Sequence, residues 1–204
     1  MLHGQSDSVP RALGDVAHVK HGFALPGDGF SDDPAYPTVV TPGNFAIGGG
    51  FQQATEKTFV GPCSEEYVLK AGDLIVSMTD LSKAGDTLGY SAIVPDDRIY
   101  LHNQRVGKVV IDADTLVLPE YLSWVLRTSD YRKYILRTAA GSTVRHTSPG
   151  RIEAYQLSLP SPKDQRVALG KVGAIEHALV ATRAQLVAVV TLRASLMYDV
   201  FVGT

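Results

Sequence analysis

The stretch Gly141–Ile152, GSTVRHTSPGRI, places Arg145, His146 and Arg151 in a run rich in Gly, Ser, Thr and Pro. It is too polar and too interrupted to form core, so it reads as a surface loop. Guanidinium and imidazole groups beside hydroxyls and backbone N–H groups are the combination that holds phosphate oxygens, and an arginine can also reach a base edge. Between Arg127 and Arg151 stand six basic residues, Arg127, Arg132, Lys133, Arg137, Arg145 and Arg151, against one acid, Asp130. Tyr131, Tyr134 and His146 are interleaved with them. A solvated helix face with tyrosines in the core is the bland alternative. Contact with a polyanion is the reading favoured for the loop.

Thr143, Arg145, His146 and Thr147 are the first candidates, Arg145 for a base edge or phosphate and the threonines for phosphate oxygens. Lys20, His21, Thr79, Lys83 and Arg105 are second candidates, on strand ends and turns. Arg105 lies in HNQRV, where Asn and Gln could equally be framework that satisfies backbone groups.

Other chemistry is weakly supported. DPAY, Asp33 to Tyr36, resembles the tetrapeptide with which amino-methyltransferases grip a flipped base, and GGGF, Gly48 to Phe51, has the look of a cofactor-binding turn. A methyltransferase needs a doubly wound sheet around such pieces, and no βαβ pattern surrounds these. The histidines, at positions 3, 18, 21, 102, 146 and 177, form no close-spaced metal pair on a helix face. His18 and His21 fall on opposite faces of a strand. No Gly-x-Ser-x-Gly or phosphate-loop pattern is present. Asp73, Asp80 and Asp86 lie in turns, where capping is their expected role. The expectation is a protein with no catalytic residues, no metal and no cofactor.

Composition narrows the class. The formal net charge is −2, so any polyanion site must be local, and 45% hydrophobic against 20% charged residues is globular. Cys63 is the only cysteine, which rules out an intramolecular disulfide and fits a reducing compartment; it reads as a half-buried thiol. The N-terminus lacks a signal-peptide pattern, and no uninterrupted apolar run approaches the ~20 residues that span a bilayer. A soluble, cytoplasmic protein is expected.

The elements that must position these residues change character along the chain. From Leu13 to Val117 the stretches DVAHVKHG, YPTVVTPGNF, EKTFV, DLIVSM, YSAIV and RVGKVVID read as short strands, separated by LPGDG, IGGG, KAGD and VPDD. They predict a curved, mainly antiparallel β region. From Leu118 the pattern becomes helical, with Pro119 in a first turn and Ser129 as the cap of a second short helix. AYQLSLPSP is extended. From Asp164 to about Phe201 one long helix is predicted, about 57 Å in length. Val172, Ile175, Leu179, Thr182, Leu186, Val189, Arg193, Leu196 and Val200 form an a/d seam with two polar exceptions. Val187, Val190 and Leu192 widen it, so a thicker bundle or a partner protein is an open possibility beside a helix folded back on its own domain.

Several stretches in order resemble the specificity subunit of type I DNA restriction–modification systems: LGDVAHVKHGFAL, YVLKAGDLIVSMTDL, LHNQRVGKVVI, YLSWVLRTSDYRKYI, GSTVRHTSPGRI, LSLPSPKDQRVALGKV and SLMYDVFVG. The resemblance covers nearly the whole chain and corresponds to half of such a subunit. It implies an α+β architecture: a β-rich target recognition domain with short helices, about residues 1–160, then a long coiled-coil helix over 161–204. It implies a non-catalytic partner of double-stranded DNA and of methyltransferase and restriction subunits. With one domain and one helix, the chain is expected to self-associate and to read a palindromic bipartite site, or to pair with a different half. Val172, Ile175, Leu179, Leu186, Val189, Leu196 and Val200 are the expected dimer interface. A β-rich adaptor module, or an enzyme that uses a partner's cofactor, are the rival readings.

Overall fold

A computed structural model describes residues 9–53, 57–201 and 203; His3 lies outside them. Its centre is the strand Val106–Ile111, whose six residues VGKVVI pair antiparallel on both sides. On one side Gly107, Val109 and Ile111 face His21, Val19 and Ala17 of the strand Ala17–His21. On the other, Val106 and Val109 face Ser77 and Leu74 of the strand Leu74–Ser77, which in turn pairs with Ser91–Ile93. All four residues of Leu74–Ser77 are buried, which explains why that stretch reads as an apolar run instead of alternating. Alternation still sorts its faces. Leu74 and Val76 join one core with Leu122, Leu126 and Ile135, while Ile75 joins a second with Val40, Phe45 and Tyr100.

The second core lies between this sheet and a five-stranded one, ordered Phe30–Ser31, Thr58–Phe59, Thr38–Val40, Tyr100–His102 and Val68–Leu69. Its pairings are antiparallel except that of Thr38–Val40 with Tyr100–His102, which is parallel. His102 is buried there. Its Nε2 donates to the Val106 carbonyl at 2.8 Å, and burial lowers its pKa, which favours the neutral ring.

Three short helices cover the first core: α1 (Pro119–Val125), α2 (Ser129–Thr138) and α3 (Pro149–Glu153). Pro119 opens α1, where its missing N–H costs nothing. The cap of α2 is Thr128, not Ser129: the Thr128 hydroxyl accepts from the Tyr131 N–H, and Ser129 is the first helical residue. The segment Gly141–Ile152 is not loop throughout. Arg145–His146 is a strand, Pro149 begins α3, and Ile152 is fully buried. The Glu153 carboxylate accepts the Val19 N–H at 2.7 Å, and Gln156–Leu157 pairs antiparallel with Arg11–Ala12.

The chain divides into two compact units, Met1–Pro162 and Lys163–Thr204. The helix α4 (Pro162–Phe201) runs for 40 residues, about 60 Å. Ile175, Leu186, Val189, Leu196 and Val200 are each more than half exposed. Of the two polar exceptions in the seam, Thr182 satisfies its hydroxyl on the Ala178 carbonyl at 2.8 Å, leaving a methyl to face outward. No uninterrupted apolar run reaches bilayer length, but an average along α4 gives a different picture. An 18-residue window of α4 has a mean hydropathy of 1.4, so the helix is long and apolar enough to cross a membrane by length and composition. Counting uninterrupted runs misses this because Arg183 and Arg193 break the runs without lowering the average enough.

Candidate nucleic-acid interface

Antiparallel register brings most of the candidate residues to one end of the four-stranded sheet. His21 lies opposite Gly107, and Ser77 lies opposite Val106. The Met78 N–H donates to the Arg105 carbonyl at 2.9 Å, which sets Arg105 beside the start of the next strand, Thr79–Asp80. There Thr79 pairs with His146 and Asp80 with Arg145. His146 also bridges to Ala140, and the Thr147 N–H donates to the Met78 carbonyl at 2.9 Å. Thr143 lies in the exposed turn between, and Lys83 in the exposed loop after Asp80. His21, Arg105, Thr79, Arg145, His146, Thr143 and Lys83 thus share one rim. Lys20, opposite Lys108, is one step further into the sheet, and strand alternation turns it to the other face.

Thr147 does not suit the role expected of it. It is 6% exposed, and its hydroxyl has no hydrogen-bond partner among the described residues. Its contribution is the backbone bond that stitches the loop to Met78.

The rim is held by a buried carboxylate. Asp80 is 5% exposed; one oxygen accepts the Ser82 N–H at 2.6 Å, the other the Thr87 N–H at 2.5 Å and the Thr87 hydroxyl at 2.8 Å. Burial alone would raise its pKa, but these hydrogen bonds from Thr87 and Ser82 together outweigh it and hold the group below the usual carboxylate value. Sequence reasoning placed Asp80 in a turn and missed that it closes an eight-residue loop; the Asp-x-Ser spacing was the available signal. The same loops expose apolar residues it did not single out, Leu81 at 72% and Val144 at 40%.

Half of the basic segment turns out to be framework. The Arg132 guanidinium donates to the carbonyls of Gly85 and Leu88 and lies over the Tyr90 ring at 4.6 Å. Arg145 donates to the Leu136 carbonyl in the last turn of α2 at 2.8 Å. Arg127 donates to the carbonyls of Gly48 and Gly49 at 3.0 and 2.8 Å and lies over Trp124 at 4.0 Å. Lys133 sits 3.7 Å from Asp130. A charge count cannot separate cations that clasp backbone carbonyls from those that face solvent.

The decoy motifs are turns. Gly48, Gly49 and Gly50 have φ of +94°, +90° and +97°, and a Cβ on Gly49 would lie 2.4 Å from the Arg127 Nε, so the turn is packed against that arginine. In DPAY the Asp33 carboxylate accepts the Ala35 N–H at 3.0 Å, an Asx turn. Among the described residues no cluster of three His, Cys, Asp or Glu side chains has the makings of a metal site.

Comparison with known proteins decides which family the chain belongs to. The model of the type I restriction modification DNA specificity domain matches residues 5–183. The chain belongs to that family. Specificity-domain proteins are the DNA-recognition components of restriction–modification systems and are themselves non-catalytic. Three solved structures share the fold of this specificity-domain chain. A chain from a study of complex assembly and conformational transition of the type I system matches with a TM-score of 0.66 at 15% identity, covering 95% of this chain and 45% of that one. The S subunit from M. genitalium matches at 0.61 and 14%, covering 98% and 47%. The HsdS subunit from Thermoanaerobacter tengcongensis matches at 0.61 and 15%, covering 90% and 42%. The specificity-domain chain spans less than half the length of each. No curated protein matches it in sequence.

Proposed function

We propose that residues 1–160 read one half of a bipartite duplex DNA site with the rim of the four-stranded sheet, and that the helix over 161–204 joins this domain to its partners. The observation that carries this is the convergence of His21, Thr79, Lys83, Arg105, Thr143 and His146 on one end of a sheet braced by Asp80 and Arg132. Lys83 and Thr143 serve phosphates, Arg105 and His146 base edges, and Leu81 and Val144 the methyl groups of thymines. Arg145 acts with the N–H groups left over from its bond to Leu136.

The exposed seam supports self-association through Val172, Ile175, Leu179, Leu186, Val189, Leu196 and Val200, giving a two-fold dimer suited to a palindromic site. Methyltransferase and restriction subunits are the further partners, and the cytoplasm is the place of action. The hydropathy of α4 also fits lipid, but Arg193 or Asp199 at a bilayer centre costs about 2.5–3.5 kcal/mol, which favours helix partners.

The test is titration of the full chain, alone and with type I methyltransferase subunits, onto a labelled duplex of random sequence between 50 and 200 mM salt. Affinity should fall with salt. Lys83→Ala should reduce the salt slope by about one, and Arg105→Ala should weaken binding to a selected target by about 1–3 kcal/mol, both at unchanged melting temperature. Salt-independent or absent duplex binding would leave the adaptor reading in its place.

A further inference from the structure

Gln104 and Arg105 form the exposed tip of the turn between the strands Tyr100–His102 and Val106–Ile111. Neither side chain makes a hydrogen bond or ion pair among the described residues. Similar groups elsewhere in the domain are occupied. Asn103 is buried, and its Oδ1 accepts the Arg105 N–H at 3.0 Å. The Gln52 amide donates to the carbonyls of Gly43 and Phe45 at 3.1 and 3.2 Å. Asn103 is therefore framework, and Gln104 is not.

The backbone under the tip is fixed. The Val106 N–H closes the turn on the Asn103 carbonyl at 3.0 Å, and the Gln104 N–H donates to the Phe23 carbonyl at 3.0 Å. Phe23 bridges Asn103 in parallel, and its own N–H donates to the His102 carbonyl at 2.8 Å. The two segments come this close because residue 22 is glycine: a Cβ there would run into the Asn103 carbonyl. The Phe23 ring is 38% exposed and is braced by the Tyr67 ring, their centroids 5.2 Å apart. A carboxamide, a guanidinium and an apolar ring thus stand on adjacent backbone that needs no ordering when a ligand arrives.

We infer that Gln104 and Phe23 together read one A·T base pair in the major groove, and that Arg105 takes the neighbouring pair. This rests on the duplex-reading rim proposed above and adds to it the base pair read at one position. A carboxamide offers one donor and one acceptor, which adenine N7 and N6 match; guanine presents two acceptors there and answers only half of it. The thymine of the same pair sets its methyl group beside the adenine edge, and an aromatic ring is a fit for that methyl. Neighbouring Cα atoms lie about 3.8 Å apart, close to the rise of about 3.4 Å between base pairs, so two tip residues suit successive pairs. Arg105, which has donors only, suits guanine. Phosphate contact would make no use of Phe23 and little of an uncharged carboxamide.

The experiment uses the full chain with type I methyltransferase subunits. A target is selected from a randomised duplex library, and affinity is measured at fixed salt for each single-base-pair variant of it. The wild type should lose about tenfold or more when one A·T pair becomes G·C. Gln104→Ala should bring that loss to within about twofold, with the melting temperature and the preferences elsewhere unchanged. Replacing the thymine of that pair by uracil removes only the methyl group, which should cost the wild type about fourfold and Phe23→Ala nothing further. A Gln104→Ala profile identical to that of the wild type, or relaxed only at a G·C pair, would overturn the assignment and leave the rim a reader of DNA. A uracil substitution without effect on the wild type would overturn the part given to Phe23. Absence of duplex binding by the wild-type complex would overturn the rim reading and this assignment with it.

Discussion

Asp80→Asn tests whether the candidate rim is organised by one buried carboxylate. Asn is nearly the same shape and keeps one carbonyl oxygen, which can still accept the Ser82 N–H. Its other atom is an amide NH2, a donor turned toward the Thr87 N–H that Asp80 now accepts at 2.5 Å. The Thr87 hydroxyl can rotate to accept from it, but the Thr87 backbone N–H is left without an acceptor in a part-buried site. Losing the charge assistance and orphaning one donor should together cost about 3 kcal/mol. For a domain of this size that lowers the melting temperature by roughly 6–12 °C. The effect must depend on pH in one direction. The folded-state pKa of Asp80 is lowered, so its contribution is fully present above the unfolded value near 3.8 and is lost as pH falls through the lower folded value. Melting curves followed by circular dichroism should therefore show the gap between wild type and Asp80→Asn constant from pH 7 to 5 and narrowing below about pH 4. A variant that melts within about 1 °C of wild type at pH 7, or a gap unchanged down to pH 3, would refute the reasoning. Wild-type duplex affinity in a destabilised Asp80→Asn would show that the loop after Asp80 does not face DNA.

Gly49→Ala should cost about 2 kcal/mol or more in urea denaturation, since it joins a left-handed backbone to displacement of Arg127; Gly48→Ala, whose added carbon meets nothing within 4 Å, should cost only the backbone part, about 1 kcal/mol. Leu186→Glu places a carboxylate in the middle of the exposed seam and should reduce the mass in solution to that of one 21.9 kDa chain, which light scattering reads directly. An unchanged mass for that variant would exclude the seam as the interface.

The frame was legible because its signals are local. Period-two patterning marks Ala17–His21, continuous apolar character marks Leu74–Ser77, and Pro119 marks the start of α1. What stayed hidden depends on partners distant in the chain. Nothing near Arg132 in sequence announces that it clasps carbonyls at Gly85 and Leu88, or near Arg127 that it closes a turn at Gly48. The parallel pairing of Thr38–Val40 with Tyr100–His102 joins strands more than fifty residues apart, with other strands of the domain between them. The candidate rim was half legible. The pattern drew attention to polar residues at strand ends, yet alternation alone could not tell exposed Thr143 from buried Thr147, four residues on.

The pairing of Arg11–Ala12 with Gln156–Leu157, backed by the bond from the Leu13 N–H to the Tyr155 carbonyl at 2.8 Å, has a consequence for synthesis. Its two sides are separated by nearly the whole first unit, so closing it carries a large loop entropy and cannot happen until Leu157 has left the ribosome. In the strand Ala17–His21, the Val19 N–H likewise waits for the Glu153 carboxylate. The nascent chain therefore emerges with its first strands unlatched and is most open to misfolding until the last tenth of the domain arrives. Only then does the start of α4 follow, so the long helix is made after the domain that precedes it has had the means to close.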